Sequence, residues 1–140
     1  MHSENCDEQN LIVYRAAHNF IVLNKFPYTS GHLMVVPYTH ASELSAISDA
    51  AAAEMMKLAR LSEKHLRKIY RPEGLNIGMN IGESAGAGIA GHIHLHVLPR
   101  WHADANFMTT ISETRVLPET LDVTWQRLSA AFASASEPRA

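Results

Sequence analysis

His92, His94 and His96 recur at i, i+2 and i+4, with Ile93 and Leu95 between them. Recurrence every two residues is the period of a strand, so the spacing predicts three imidazoles on one face and two apolar side chains on the other. One helical turn could not align the three in that way. On a strand, same-face neighbours lie roughly 6.5–7 Å apart, too far for ideal rings to bond one another but close enough to share a small anionic group. Three kinds of chemistry compete for such a triplet. The rings could ligate zinc, or one neutral imidazole could attack a phosphorus centre while its neighbours stabilise the developing charge. Inert core histidines would instead need a hydrogen-bond partner for every ring N–H. The spacing alone leaves zinc and nucleophile open. Glu83, the nearest carboxylate that could orient a ligating ring, belongs to the small-residue loop before the triplet.

That loop, Gly82 to Gly91, contains Gly86-Ala87-Gly88-Ile89-Ala90-Gly91, a match to G-x-G-x-x-G. A dinucleotide fold would require a helix to open directly after the glycines and an acidic residue about 20 positions on. A strand-period histidine run follows here, so that assignment is refused. The glycines instead offer unobstructed backbone N–H groups, and a bent run of these makes an anion-binding concavity. Gly86, Gly88 and Ile89 are accordingly candidate phosphate-binding positions.

Several elements must hold these residues. Leu11–Ala16 and Phe20–Asn24 are β-branched and aromatic-rich, with Ala17-His18-Asn19 between them, which predicts an antiparallel hairpin. Pro27–Gly31 reads as a turn into a third strand, His32–Val36, stopped by Pro37. A long amphipathic helix capped by Ser48 or Asp49 and ended by Pro72 and Gly74 supplies cover, with His65 read as solvated. Leu75–Ile81 forms a fourth strand, the histidine strand closes at Pro99, and Met108–Val116 reads as an edge strand or extended arm. Leu121, Trp125, Leu128 and Phe132 make one stripe of a last helix that follows Pro118, which assigns Trp125 to packing. The expectation is a single α+β domain over residues 1–140 built on an antiparallel sheet, with loose tails at 1–9 and 134–140.

The 140 residues are 46% hydrophobic and 19% charged, with a net charge of −2, so any phosphate must be recognised locally rather than by a basic face. Neither a nucleic-acid partner nor a membrane surface is indicated. Cys6 is the single cysteine, which excludes an intrachain disulfide and a Cys-x-x-Cys metal pair. Without an apolar signal region or a run near the roughly 20 residues of a membrane span, the expected location is cytoplasmic.

His92-Ile93-His94-Leu95-His96-Val97-Leu98, extended by Pro99-Arg100-Trp101, resembles the signature of the histidine triad (HIT) family, in its fragile-histidine-triad branch. Leu23-Asn24-Lys25 and Gly31–Pro37 look like that branch's nucleoside-binding strand-turn-strand, and Asn80-Ile81-Gly82 precedes the triad as in its members. Trp101–Phe107 followed by Thr114–Pro118 is similar to bacterial diadenosine tetraphosphate phosphorylases, and the likeness spans Leu11 to Phe132. The resemblance implies a HIT-like fold with a five-stranded antiparallel sheet, one long helix and a C-terminal helix, assembled as a homodimer whose sheet continues across the interface.

It also implies residue roles. His94 would attack the α-phosphorus of a nucleotide and become covalently nucleotidylated, with water or phosphate as the final acceptor. The backbone carbonyl of His92 would fix its tautomer, His96 would hold a non-bridging oxygen, and His32 would brace the triad. Asn24 would bond the ribose and Asn80 would lie near the phosphates. The implied substrate is a dinucleoside polyphosphate such as diadenosine tetraphosphate, cleaved without an obligatory metal although the substrate can bring Mg2+. An adenosine phosphoramidate hydrolase, or a non-turning zinc- or nucleotide-binding module, are the competing readings. Two departures stand out. Asn80 replaces the glutamine of the eukaryotic hydrolases, and Ala87-Gly88 stands where the related phosphorylases have Gly-Ser. Contact with the leaving group therefore falls to backbone N–H groups, Ser84 or water.

Overall fold

The computed structural model of the chain describes residues 4–102, 104 and 119–134. Strands β1 (Ile12–Arg15), β2 (Asn19–Leu23), β3 (Leu33–Pro37), β4 (Gly74–Gly78) and β5 (Leu95–Arg100) form one antiparallel sheet in the order β1-β2-β3-β5-β4. Helices α1 (Glu4–Gln9), α2 (Asp49–Tyr70) and α3 (Leu121–Ser134) complete the described secondary structure, apart from two short 3₁₀ turns. The family-like α+β architecture expected from the sequence is thus present. No described helix is long and apolar enough to cross a membrane.

Alternation explains the sheet's two faces. In β2 and β3 every second residue is buried, and Ile21, Leu23, Leu33, Val35, Leu95 and Val97 join Met55, Leu58, Ala59 and Leu66 of α2 in one core. The opposite face carries Val22, Met34, His96 and Gly78 side by side across four strands. Helix α2 starts where Ser48 accepts a hydrogen bond from the Ala51 N–H at 3.1 Å and stops at Arg71, whose φ of +48° is left-handed. Trp125 packs as expected and donates its indole N–H to the Ile12 carbonyl at 2.8 Å, tying α3 to β1.

Three element boundaries and the burial of one histidine differ from the sequence expectation. The expected N-terminal tail is helical from Glu4 to Gln9, and Asp7 pairs with Arg15 of β1. Strand β4 ends at Gly78, leaving Asn80 and Ile81 beyond the ladder, because two glycines in five residues give the edge little to pack. Strand β5 begins at Leu95 and runs through Pro99 to Arg100, so His92 and His94 lie in the chain leading into it. His65 is not solvated. It is 5% exposed, its ring sits edge-on to Phe132 at 4.5 Å, and its Nε2 has no hydrogen-bond partner among the described residues. The helical period places it toward α3, and burial first, with Lys64 and Lys68 beside it, lowers its pKa. The expected arm at 108–116 lies outside the described residues.

Glu54 links helix to hairpin. Its carboxylate accepts from the Ala17 N–H (2.9 Å), the His18 N–H (2.8 Å) and Asn19 Nδ2 (2.8 Å), while Asn19 Nδ2 also reaches the Ala51 carbonyl. Burial alone would raise the carboxyl's pKa, but those hydrogen bonds outweigh it and hold it below the usual range. Glu54→Ala leaves these donors unmet and should cost about 2 kcal/mol in urea unfolding; an unchanged midpoint would show that water replaces the carboxylate without loss.

His65 gives a second expectation. Its folded pKa lies below the ordinary 6.5, so the neutral ring's contribution is present above that value and disappears as pH falls through the lower folded value. His65→Leu should therefore flatten the loss of stability between about pH 7 and about pH 5, with equal slopes in the two proteins counting against it.

Candidate active site

The approach to β5 brings His92, His94 and His96 together, and His32 joins them from the start of β3. Three backbone groups, each able only to donate or only to accept, fix the protons on these rings. The Tyr28 N–H donates to His32 Nδ1 at 3.2 Å, so neutral His32 carries its proton on Nε2. That nitrogen lies 2.8 Å from His96 Nδ1 and donates to it, which leaves the His96 proton on Nε2. His94 Nδ1 donates to the His92 carbonyl at 3.1 Å, leaving Nε2 with the lone pair. His92 Nε2 donates to the Pro37 carbonyl at 2.8 Å. The result is one exposed-side donor at His96 and one unprotonated nitrogen at His94.

Packing enforces this order. His32 is 1% exposed, with Tyr28 stacked on it at 5.0 Å between centroids. Gly31 precedes it at φ +84°, and a Cβ there would come within 3.0 Å of Tyr70 and 3.1 Å of Leu66, so only glycine admits the helix this close. Thr29 donates to the Pro99 carbonyl at 3.0 Å and fastens the 24–31 turn to β5. The rings of His94 and His96 approach to 4.7 Å, nearer than strand spacing predicts, because His94 stands outside the ladder and turns back toward the His92 carbonyl. Burial first, then the neighbouring His94, lowers the His96 pKa, keeping it a neutral single donor.

Asn24 lies beside His32, its Nδ2 3.5 Å from His32 Nδ1, while its Oδ1 accepts the Phe26 N–H at 2.9 Å. Asn80 is exposed, and its Nδ2 lies 3.9 Å from where a Cβ on Gly86 would stand. In the glycine loop the Gly86 N–H closes a turn onto the Glu83 carbonyl at 3.0 Å with φ at +88°, and the Ala85 and Ala87 N–H groups both bond the Gly82 carbonyl. The N–H groups of Gly88 and Ile89 make no backbone hydrogen bond among the described residues, and Ile89 is 68% exposed. Ser84 is exposed within the 3₁₀ turn Glu83–Ala85. Among the described residues no three His, Cys, Asp or Glu side chains are grouped to hold a metal ion.

Sequence reasoning missed Tyr28 and Pro37, whose backbone N–H and carbonyl orient His32 and His92 and leave no signal beyond the turn before His32. The ring of His40 lies edge-on to His92 at 5.0 Å.

Residues 6–103 match the HIT domain. The chain is 43% identical over 127 residues to the AP-4-A phosphorylase of Mycobacterium tuberculosis, covering 91% of this chain and 65% of that protein, so it spans about two thirds of that relative's length. It is 26% identical to the asymmetrical bis(5'-nucleosyl)-tetraphosphatase of Schizosaccharomyces pombe, over 66% of this chain and 50% of that one. Its fold superposes on a Zn-bound histidine triad family protein from Mycobacterium smegmatis with a TM-score of 0.72 and 28% identity, covering 89% and 85% of the two chains.

The proton order is directly measurable. Long-range 1H–15N correlation spectra should show the Nε2–H tautomer at His32 and His96 and the Nδ1–H tautomer at His94, with His96 titrating below 6.5. His32→Ala should release His96 into a tautomer mixture; an unaltered His96 pattern in that variant would refute the relay.

Proposed function

The chain belongs to the HIT family, and we propose that it cleaves dinucleoside polyphosphates, diadenosine tetraphosphate first among them, through a nucleotidylated His94. The observation that carries this reading is the hydrogen bond from His94 Nδ1 to the His92 carbonyl, which in the neutral ring leaves the lone pair on Nε2 for attack. The named activities of the phosphorylase and tetraphosphatase relatives support the substrate class.

In the first step the Nε2 lone pair forms an N–P bond to the α-phosphorus as the bond from that phosphorus to the bridging oxygen breaks. Adenosine triphosphate leaves from the tetraphosphate, and a proton reaches its terminal oxygen from solvent. His96 Nε2–H donates to a non-bridging oxygen whose charge grows in the transition state, a bond worth more there than in the ground state. Asn24, its amide oriented by the Phe26 N–H, meets the ribose. Half-buried Val22, Met34 and Val36 on the same sheet face offer the base an apolar surface. In the second step an oxygen of water or of phosphate replaces His94 on phosphorus, which regenerates the imidazole.

The same reading takes the protein as a cytoplasmic homodimer. Strand β4 lies at the end of the sheet with Ile77 46% exposed and no further strand beside it among the described residues, an edge suited to a second copy.

Products decide the acceptor. AMP plus ATP from diadenosine tetraphosphate means hydrolysis, and ADP plus ATP in the presence of phosphate means phosphorolysis. His94→Asn should lower turnover by about 10⁴-fold or more with the melting temperature unchanged. Retained turnover in that variant would remove His94 as nucleophile, while inert dinucleotides alongside a cleaved adenosine phosphoramidate would reassign the substrate.

A further inference from the structure

Resting on that reading of the substrate, we propose that His40 binds the distal phosphates of the dinucleotide and thereby sets the preferred length of the polyphosphate chain.

The segment that carries His40 is fastened on both sides. The Tyr38 N–H donates to the His18 carbonyl at 3.0 Å, and the Ala41 carbonyl accepts the Ile93 N–H at 2.8 Å, which pins the segment alongside the chain entering β5. The ring stands edge-on to His92, centroids 5.0 Å apart at 67°. Its Nε2 faces Gly91, where even a Cβ would lie 3.8 Å away, so the imidazole rests against the end of the glycine loop with nothing between them. His40 is exposed, and neither ring nitrogen hydrogen-bonds among the described residues.

The site has a direction. Asn24 fixes the nucleoside end beside His32 and His96, whereas His92, Gly91 and His40 lie at the other end of the histidine row. A phosphate chain departing from the α-phosphorus toward that end runs along Gly82–Gly91, whose one ionisable side chain is Glu83, an anion that repels it. The N–H groups of Gly88 and Ile89 can meet the nearer phosphates. Beyond them, among the described residues, His40 is the side chain placed to donate a ring N–H to an anionic oxygen. A longer chain gains this contact and a leaving group without phosphates does not.

The test compares kcat/KM for diadenosine tetraphosphate, diadenosine triphosphate and adenosine 5'-phosphoramidate in the full chain and in His40→Ala and His40→Gln. The ratio of tetraphosphate to phosphoramidate should fall by about tenfold in His40→Ala, chiefly through KM, with the triphosphate intermediate. Glutamine, which keeps an N–H donor, should restore part of the ratio. An equal loss on all three substrates would show that the ring merely props His92, and an unchanged ratio would show that it touches no phosphate; either overturns the proposal. Wild-type protein that cleaves the phosphoramidate but neither dinucleotide would overturn the substrate reading itself and this inference with it.

Discussion

A peptide N–H can only donate, and the one at Tyr28 is aimed at His32 Nδ1. Everything chemical at the site follows from that constraint. His32 must present a proton to His96, His96 must present one outward, and no ionised side chain is needed to set the order. The carbonyls of His92 and Pro37 apply the same logic in the accepting sense to His94 and His92. Backbone groups do not titrate, so the tautomers are held by atoms whose character is fixed across the physiological range.

Holding a backbone atom in place is a matter of packing. The turn that carries Tyr28 is fixed by Thr29 on the Pro99 carbonyl, by the Asn24 N–H on the His32 carbonyl and by the close fit of Gly31 under α2. The helix in turn is registered on the hairpin by Glu54 and Asn19 at its first turns. Local geometry at the histidines is therefore a product of the sheet-helix core rather than of the loop alone.

The alternation of half-buried histidines with buried Ile93 and Leu95, the three-strand meander, the Ser48 cap and the α3 stripe were legible because side-chain type and its spacing are what a sequence records, although only His96 of the three histidines lies in the strand itself. His32 and Asn24 were legible through family likeness. Contacts made by main-chain atoms were not: nothing in the letters Tyr28 or Pro37 says where an amide or carbonyl will point. His65 was misjudged because charged neighbours at 64 and 68 dominate the local composition, although the helical period turns it toward Phe132. The glycines of the loop suggested donors throughout, yet Gly86 closes a turn onto Glu83, a local competition that only folded geometry resolves.

Gly31 joins two parts of the protein that the chemistry alone would keep separate. Against its bare Cα lies Tyr70, whose hydroxyl donates to Glu119, and that carboxylate also accepts from Thr124 and Arg127 of α3. An unbroken mechanical path thus runs from the C-terminal helix through Tyr70 and Gly31 to the ring that orders the protons. The ring that orders the protons is thus braced through Gly31 and Tyr70 by side chains of α3, well away from the triad in sequence.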